Sequence, residues 1–169
     1  RTRAPRLLAP GRSRGYSKRR VARAALIRFK RNLYLDAVPE AERFFQAARG
    51  LDVKPDGDPP ELHLSAVARQ RAGEWLSLRG LADVPFGALA PGAAHFTKRW
   101  PVEHWRELAR DLAARGRELL VVGGPEDVTA GDAIARAAGT RGRSAAGLFS
   151  LQETGAALAA AHTVVAGDT

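Results

Sequence analysis

Residue types able to do chemistry gather in three short stretches of this chain, each placed directly after an apolar run. The first is Pro91-Gly92-Ala93-Ala94-His95-Phe96-Thr97-Lys98-Arg99-Trp100-Pro101. Gly92, Ala93 and Ala94 carry too little side chain to keep an anion away from the backbone N–H groups, and Lys98 adds a point charge. The GK[ST] ending of a Walker loop is missing, so the stretch suggests phosphate contact of another kind, or simply a turn. The second stretch, Gly123-Gly124-Pro125-Glu126-Asp127, puts two carboxylates where a helix should begin. A carboxylate there either accepts the hydroxyls of a ribose or balances the positive end of the helix. The third, Gly167-Asp168-Thr169, is a turn with an aspartate.

Other chemistries find little support. The chain has no cysteine, which removes disulfides, thiol nucleophiles and cysteine-ligated zinc. His63, His95, His104 and His162 show no metal-ligand spacing, and no serine sits in a GxSxG elbow. Trp75, Trp100 and Trp105 read as core anchors rather than stacking platforms.

The elements that must hold the three stretches alternate between strand and helix. Phe86–Ala90 reads as a short strand, and Val102–Arg115 as a helix with Trp105, Leu108 and Leu112 on one face and Gly116 as its stop. Glu118–Val122 reads as a buried strand, broken by Gly123-Gly124-Pro125, and a helix over Glu126–Ala138 ends at Gly139. After a short connection, Ser150-Leu151-Gln152-Glu153 is a capping box opening a helix that runs to Ala161. Thr163–Ala166 reads as another buried strand. This alternation predicts an α/β fold, a parallel sheet wound by right-handed crossovers, whose ligand lies at the carboxyl ends of the strands.

Residues 1–83 have a different texture, basic and broken by prolines. Helices are predicted over Val21–Asn32, Pro39–Arg49 and Ala66–Arg79; Phe44, Phe45 and Ala48 form a core-facing stripe in the second, and Ser65 caps the third. Asp52–Pro60 reads as a loop, and the boundary is placed at Ala82–Pro85, dividing residues 1–83 from 84–169. The net charge of +9 is concentrated before residue 50 and suits an anionic partner, or else reflects coding bias toward arginine. The cluster Arg12, Arg14, Lys18, Arg19, Arg20 and Arg23 is either part of such a contact or a solvated face. Nucleic acid is the weaker partner, because aromatics do not interleave with these charges and no binding motif is present. No apolar stretch approaches the roughly 20 residues of a membrane span, and nothing resembles a signal peptide. With no initiator Met and a stop directly after an apolar run, the chain reads as an internal piece of a longer protein.

Taken in order, PGAAHFTKRWPVEHWRELARDLAARG, LLVVGGPED and LFSLQETGAALAAAHTVVAGDT resemble the C-terminal domain of bacterial lipopolysaccharide heptosyltransferases, glycosyltransferase family 9. The KRWP block ahead of an amphipathic helix carries much of the likeness, and GDT resembles the start of the family's D-[ST]-G-x-x-H motif. The resemblance is strong over residues 88–169, fainter over 34–51 (YLDAVPEAERFFQAARGL), and by position only over 1–33. It implies a GT-B fragment: residues 1–83 as the end of an acceptor-side N-terminal Rossmann-like domain with its linker, and 84–169 as the first part of the C-terminal nucleotide-sugar-binding domain.

The resemblance also implies an ADP-heptose donor, inversion at the anomeric carbon, and no metal or other cofactor. Lys98 would contact donor phosphate or sugar oxygens, and Ala93 and Ala94 would offer N–H groups to the phosphates. Asp127 would lie at the ribose, with Glu126 taking that place if the loop shifts by one residue. Phe149 would border adenine, and Asp168 and Thr169 would open the loop around the diphosphate. Lys18, Arg19, Arg20 and Arg23 would face an anionic lipopolysaccharide core acceptor. The implied setting is cytoplasmic, with peripheral contact at the inner face of the inner membrane. The aspartate expected to act as base belongs to an N-terminal glycine-rich segment that this chain lacks, so residues 1–169 alone are expected to be inactive. Two alternatives stay open: a family member using another nucleotide-sugar or acceptor, and a non-enzymatic Rossmann-like nucleotide-binding domain.

Overall fold

A computed structural model describes residues 19–34, 42, 44–48, 51, 53–54, 57–58 and 61–167. The chain divides into two compact units, Arg1–Glu61 and Leu62–Thr169. Among the described residues, no helix is long and apolar enough to cross a membrane.

In the first unit, α1 spans Arg20–Phe29. It stops short of the expected Asn32 because Lys30 turns into the left-handed region at φ 54°, where its N–H bonds to the Ala25 carbonyl. Helical spacing sets Val21, Ala25 and Phe29 along one side, with Arg28 beside Val21, and puts Arg20 and Arg23 on the opposite side. Of the helix predicted over Pro39–Arg49, residues 39–41, 43 and 49 lie outside the described residues. Within it, Phe45–Ala48 form a 3-10 turn, and Phe44 keeps about half its surface exposed rather than joining a core stripe.

The second unit is built on four strands, β1 (Phe86–Ala90), β2 (Glu118–Val121), β3 (Gly142–Ser144) and β4 (Thr163–Ala166). They form a parallel sheet in the order β3-β2-β1-β4. Four helices accompany them: α2 (Ala66–Leu78), α3 (Val102–Ala114), α4 (Val128–Ala137) and α5 (Leu151–Ala160). The steps from β1 to β2 to β3 run one way across the sheet, so right-handed crossovers put α3 and α4 on one face. The connection from β3 to β4 returns past β1 and lays α5 on the opposite face, beside α2.

Side chains alternate accordingly along β2. Leu119 and Val121 join Leu89, Trp105, Ala109 and Ile134 in the core under α3 and α4. Leu120, with Val122 just beyond the strand, joins Phe86, Ala72, Leu76, Ala156 and Ala157 in the core under α2 and α5. Each large side chain buried this way contributes about 1.5–3 kcal/mol of transfer free energy. The alanines let the helices approach closely.

Three differences from the sequence reading have physical causes. The compact unit begins at Leu62, because Ala72 and Leu76 of α2 share a core with the sheet; the boundary expected at Ala82–Pro85 instead follows that helix. The connection after Gly139 contains β3, a strand with no apolar residue to announce it. It runs so close to α4 that a Cβ on Gly142 would overlap the Ala135 carbonyl oxygen, which is why glycine stands there. Finally, β4 has the expected bounds but is not buried: it is an edge strand of the described sheet, and Val164 is 46% exposed.

Candidate functional site

A cleft of about 560 Å³ opens at the carboxyl ends of β1 and β2. Ala90 and Val122 line its base, and three segments wall it: Gly92–Ala94 after β1, Gly123–Asp127 after β2, and Phe149 with Leu151, Thr154 and Leu158 of α5. Of the sequence-predicted site residues, it brings together Ala93, Ala94, Glu126, Asp127 and Phe149. A second hollow of about 310 Å³ is lined by Trp75, Arg79 and Arg143 among others, but these arginines are already engaged. Arg79 lies over the Trp75 ring, and Arg143 donates to the carbonyls of Arg79 and Thr140.

The loop after β1 supplies donors. Among the described residues, no acceptor meets the backbone N–H of Gly92, Ala93 or Ala94. Beyond them the chain makes a 3-10 turn, Phe96–Lys98, closed by Lys98 N–H to the His95 carbonyl at 3.0 Å and Arg99 N–H to the Phe96 carbonyl at 3.0 Å. Arg99 then reaches back, its Nε donating to the Ala93 carbonyl at 2.8 Å. Lys98 is half-buried and does not line the cleft. Its carbonyl oxygen would stand 3.5 Å from a Cβ on Gly167, so the loop after β1 touches the chain leaving β4.

The loop after β2 places its two carboxylates differently. Asp127 is only 8% exposed. The Gly124 N–H donates to its Oδ2 at 3.1 Å, and the Asp127 N–H donates to the Gly124 carbonyl at 3.0 Å. The carboxylate is wedged against backbone on two sides: a Cβ on Gly92 would collide with Oδ2, and one on Gly123 would stand 2.7 Å from Asp127 Cβ. Asp127 therefore ties the β2 loop to the β1 loop and caps the turn Pro125–Asp127 that leads into α4. Glu126 is exposed, with its carboxylate beside Gly124 at the cleft.

Phe149 is half-buried, packed edge-on against Trp75 with ring centroids 5.3 Å apart. Directly after it, Ser150 opens α5 with a reciprocal cap: Glu153 N–H donates to Ser150 Oγ at 3.3 Å, and Ser150 N–H donates to Glu153 Oε2 at 2.7 Å. The Ser150 backbone N–H, then its hydroxyl, then Arg71 hold the Glu153 carboxyl below its ordinary pKa.

The remaining predicted residues lie elsewhere. Asp168, Thr169 and Lys18, with Arg12 and Arg14, fall outside the described residues. Arg20 and Arg23 are on α1 of the first unit, and Arg19 at its start lies 6.0 Å from the centre of the Tyr34 ring. Among the described residues, no group of three or more His, Asp or Glu side chains could hold a metal. Of the tryptophans, Trp105 is buried, Trp75 half-buried, and Trp100 45% exposed, stacked on His104. The sequence reading gave no role to Arg99, because its bond depends on a turn that no local motif announces.

The family description "Glycosyltransferase family 9 (heptosyltransferase)" matches residues 6–169. Among solved structures, the glycosyl transferase family 9 protein from Veillonella parvula DSM 2008 is 24% identical with a TM-score of 0.66, over 78% of this chain and 38% of that one. E. coli ADP-heptose LPS heptosyltransferase II is 27% identical with a TM-score of 0.61, over 77% of this chain and 42% of that one. The chain thus spans about two-fifths of each, and the likeness bears out the α/β, GT-B-type fold class. No curated protein sequence matches it closely enough to count as a relative. A parallel sheet shared with structures of the family, and a family match that runs over nearly every residue, lead to one assignment: the chain belongs to glycosyltransferase family 9, the heptosyltransferase family.

Proposed function

We propose that this chain forms the nucleotide-sugar side of a transferase that moves heptose from ADP-heptose to the anionic inner core of lipopolysaccharide, with inversion and without a metal ion. The supporting observation is the convergence, in one cleft, of the unpartnered amides of Gly92–Ala94, the Glu126–Asp127 loop and the Phe149 ring. In this reading the diphosphate rests on the amides, Lys98 balances its charge, and Phe149 flanks adenine. Glu126, exposed at the cleft, accepts the ribose hydroxyls, while Asp127 holds the loop. Asp168 and Thr169 continue the diphosphate site.

As the bond between the anomeric carbon and the leaving phosphate oxygen breaks, negative charge grows on the diphosphate and the sugar becomes oxocarbenium-like. Fixed N–H dipoles stabilise that charge without reorganising, Lys98 adds its charge from beyond the cleft lining, and losing one such stabilising group typically costs about 10²–10³-fold in kcat. The acceptor hydroxyl attacks from the opposite face and inverts the centre. Its proton passes to a base on the other domain of the full-length protein. Lys18, Arg19, Arg20 and Arg23 meet the acidic acceptor at the cytoplasmic face of the inner membrane.

The test is a donor screen with the full-length protein. Turnover of ADP-heptose above other nucleotide-sugars supports the proposal, preference for another donor reassigns the sugar, and failure to bind ADP sinks the nucleotide reading. Residues 1–169 alone should give no turnover, since in this reading the base belongs to the other domain of the full-length protein.

A further inference from the structure

We infer that Arg99 is a positioning residue that aims the Ala94 N–H at the donor diphosphate without itself touching it. This rests on the nucleotide reading of the cleft. Arg99 Nε donates to the Ala93 carbonyl at 2.8 Å, and that carbonyl shares a peptide plane with the Ala94 N–H. In a trans peptide the two groups point in opposite directions, so anchoring one fixes the other. Ala93 and Ala94 line the cleft and Arg99 does not, so the guanidinium holds the carbonyl outward and leaves the N–H to the cleft.

The loop needs such an anchor. Between β1 and the 3-10 turn at Phe96, the described residues give this plane no backbone hydrogen bond. Rotated about half a turn, it would present a carbonyl oxygen to the phosphates instead of a donor. The Arg99 backbone, from which the side chain reaches back, is held by its N–H bond to the Phe96 carbonyl at 3.0 Å at the end of that turn.

Because the donor is Nε, three substitutions separate the roles. Glutamine places its Nε2 the same number of bonds from Cα, neutral but able to donate. Lysine keeps the charge but has a methylene at that position, and methionine has neither. Calorimetric titration of ADP and of adenosine into the full-length protein is the experiment. Arg99→Met and Arg99→Lys should weaken ADP binding by about tenfold and leave adenosine unchanged, while Arg99→Gln stays near wild type. Retention by lysine with loss by glutamine would overturn the inference in favour of direct charge contact. Unchanged ADP affinity in all three, or a parallel loss of adenosine that signals a collapsed loop, would also overturn it. A wild-type protein that binds no ADP fails at the earlier step, and that result needs no variant to be recognised.

Discussion

Alanine at Asp127 and at Glu126 should fail in opposite ways, although the two carboxylates are adjacent in sequence. Asp127 is 8% exposed and accepts from the Gly124 N–H at 3.1 Å. Removing it leaves that donor unsatisfied in a half-buried turn, a cost of about 1–3 kcal/mol. Loss of negative charge at the start of α4 adds about 0.3–1 kcal/mol. Asp127→Ala should therefore destabilise the full-length protein by about 2 kcal/mol, read as a lower denaturant midpoint at unchanged slope. Glu126 is exposed, so its removal should change stability by less than about 0.5 kcal/mol. If it accepts the ribose hydroxyls, Glu126→Ala should instead weaken ADP by about 1.5–3 kcal/mol, at least tenfold. Paired denaturation and calorimetric titration of both variants decide the matter. A stable Asp127→Ala protein that has lost ADP, beside a Glu126→Ala protein that binds normally, would refute the division of roles and make Asp127 the ribose ligand.

Further outcomes follow from the same geometry. Lys98→Ala in the full-length enzyme should lower kcat/KM by about 10²-fold with the unfolding midpoint kept; unchanged kinetics would reduce Lys98 to a structural lysine. Leu120→Ala, in the core under α2 and α5, should cost about 2–5 kcal/mol by denaturation. Ser150→Ala should cost about 1 kcal/mol at neutral pH by loss of the α5 cap. Because the folded Glu153 carboxyl is held low, its stabilisation is complete above the unfolded value of about 4.3 and fades as pH falls through the lower folded value. Ser150→Ala should flatten that acid-side decline, and a pH–stability profile identical to wild type would contradict the assignment.

How much could be read from residues alone depended on the range of each interaction. β1 and β4 have the bounds their flanking prolines, histidine and glycine suggest, and the Ser150–Glu153 cap was visible as a four-residue pattern. These signals are local. β3 was invisible because Gly142-Arg143-Ser144 carries no apolar periodicity, and its place is set by close packing on Ala135. The exposure of Val164 depends on which strands flank β4, which an apolar run cannot report. From sequence, Asp127 is the ribose candidate and Glu126 its substitute if the loop shifts by one residue. The wedge of Asp127 against Gly92 joins two βα loops that only the folded sheet brings together. The Arg99 bond required a 3-10 turn between donor and acceptor, and no composition rule foretells that turn.

The edge contact between Trp75 and Phe149 gives the cleft a built-in optical readout. Phe149 borders the cleft on one side and presses on the Trp75 indole on the other, with ring centroids 5.3 Å apart. The Arg79 guanidinium lies over that same indole, 5.3 Å from its centre. Any occupant that shifts Phe149 changes the indole's packing within one ring's width, so Trp75 emission should respond while buried Trp105 gives a constant background. Replacing the half-exposed Trp100 with phenylalanine would remove the other solvent-sensitive emitter. Ligand arrival could then be followed on the millisecond scale by stopped flow, without a label.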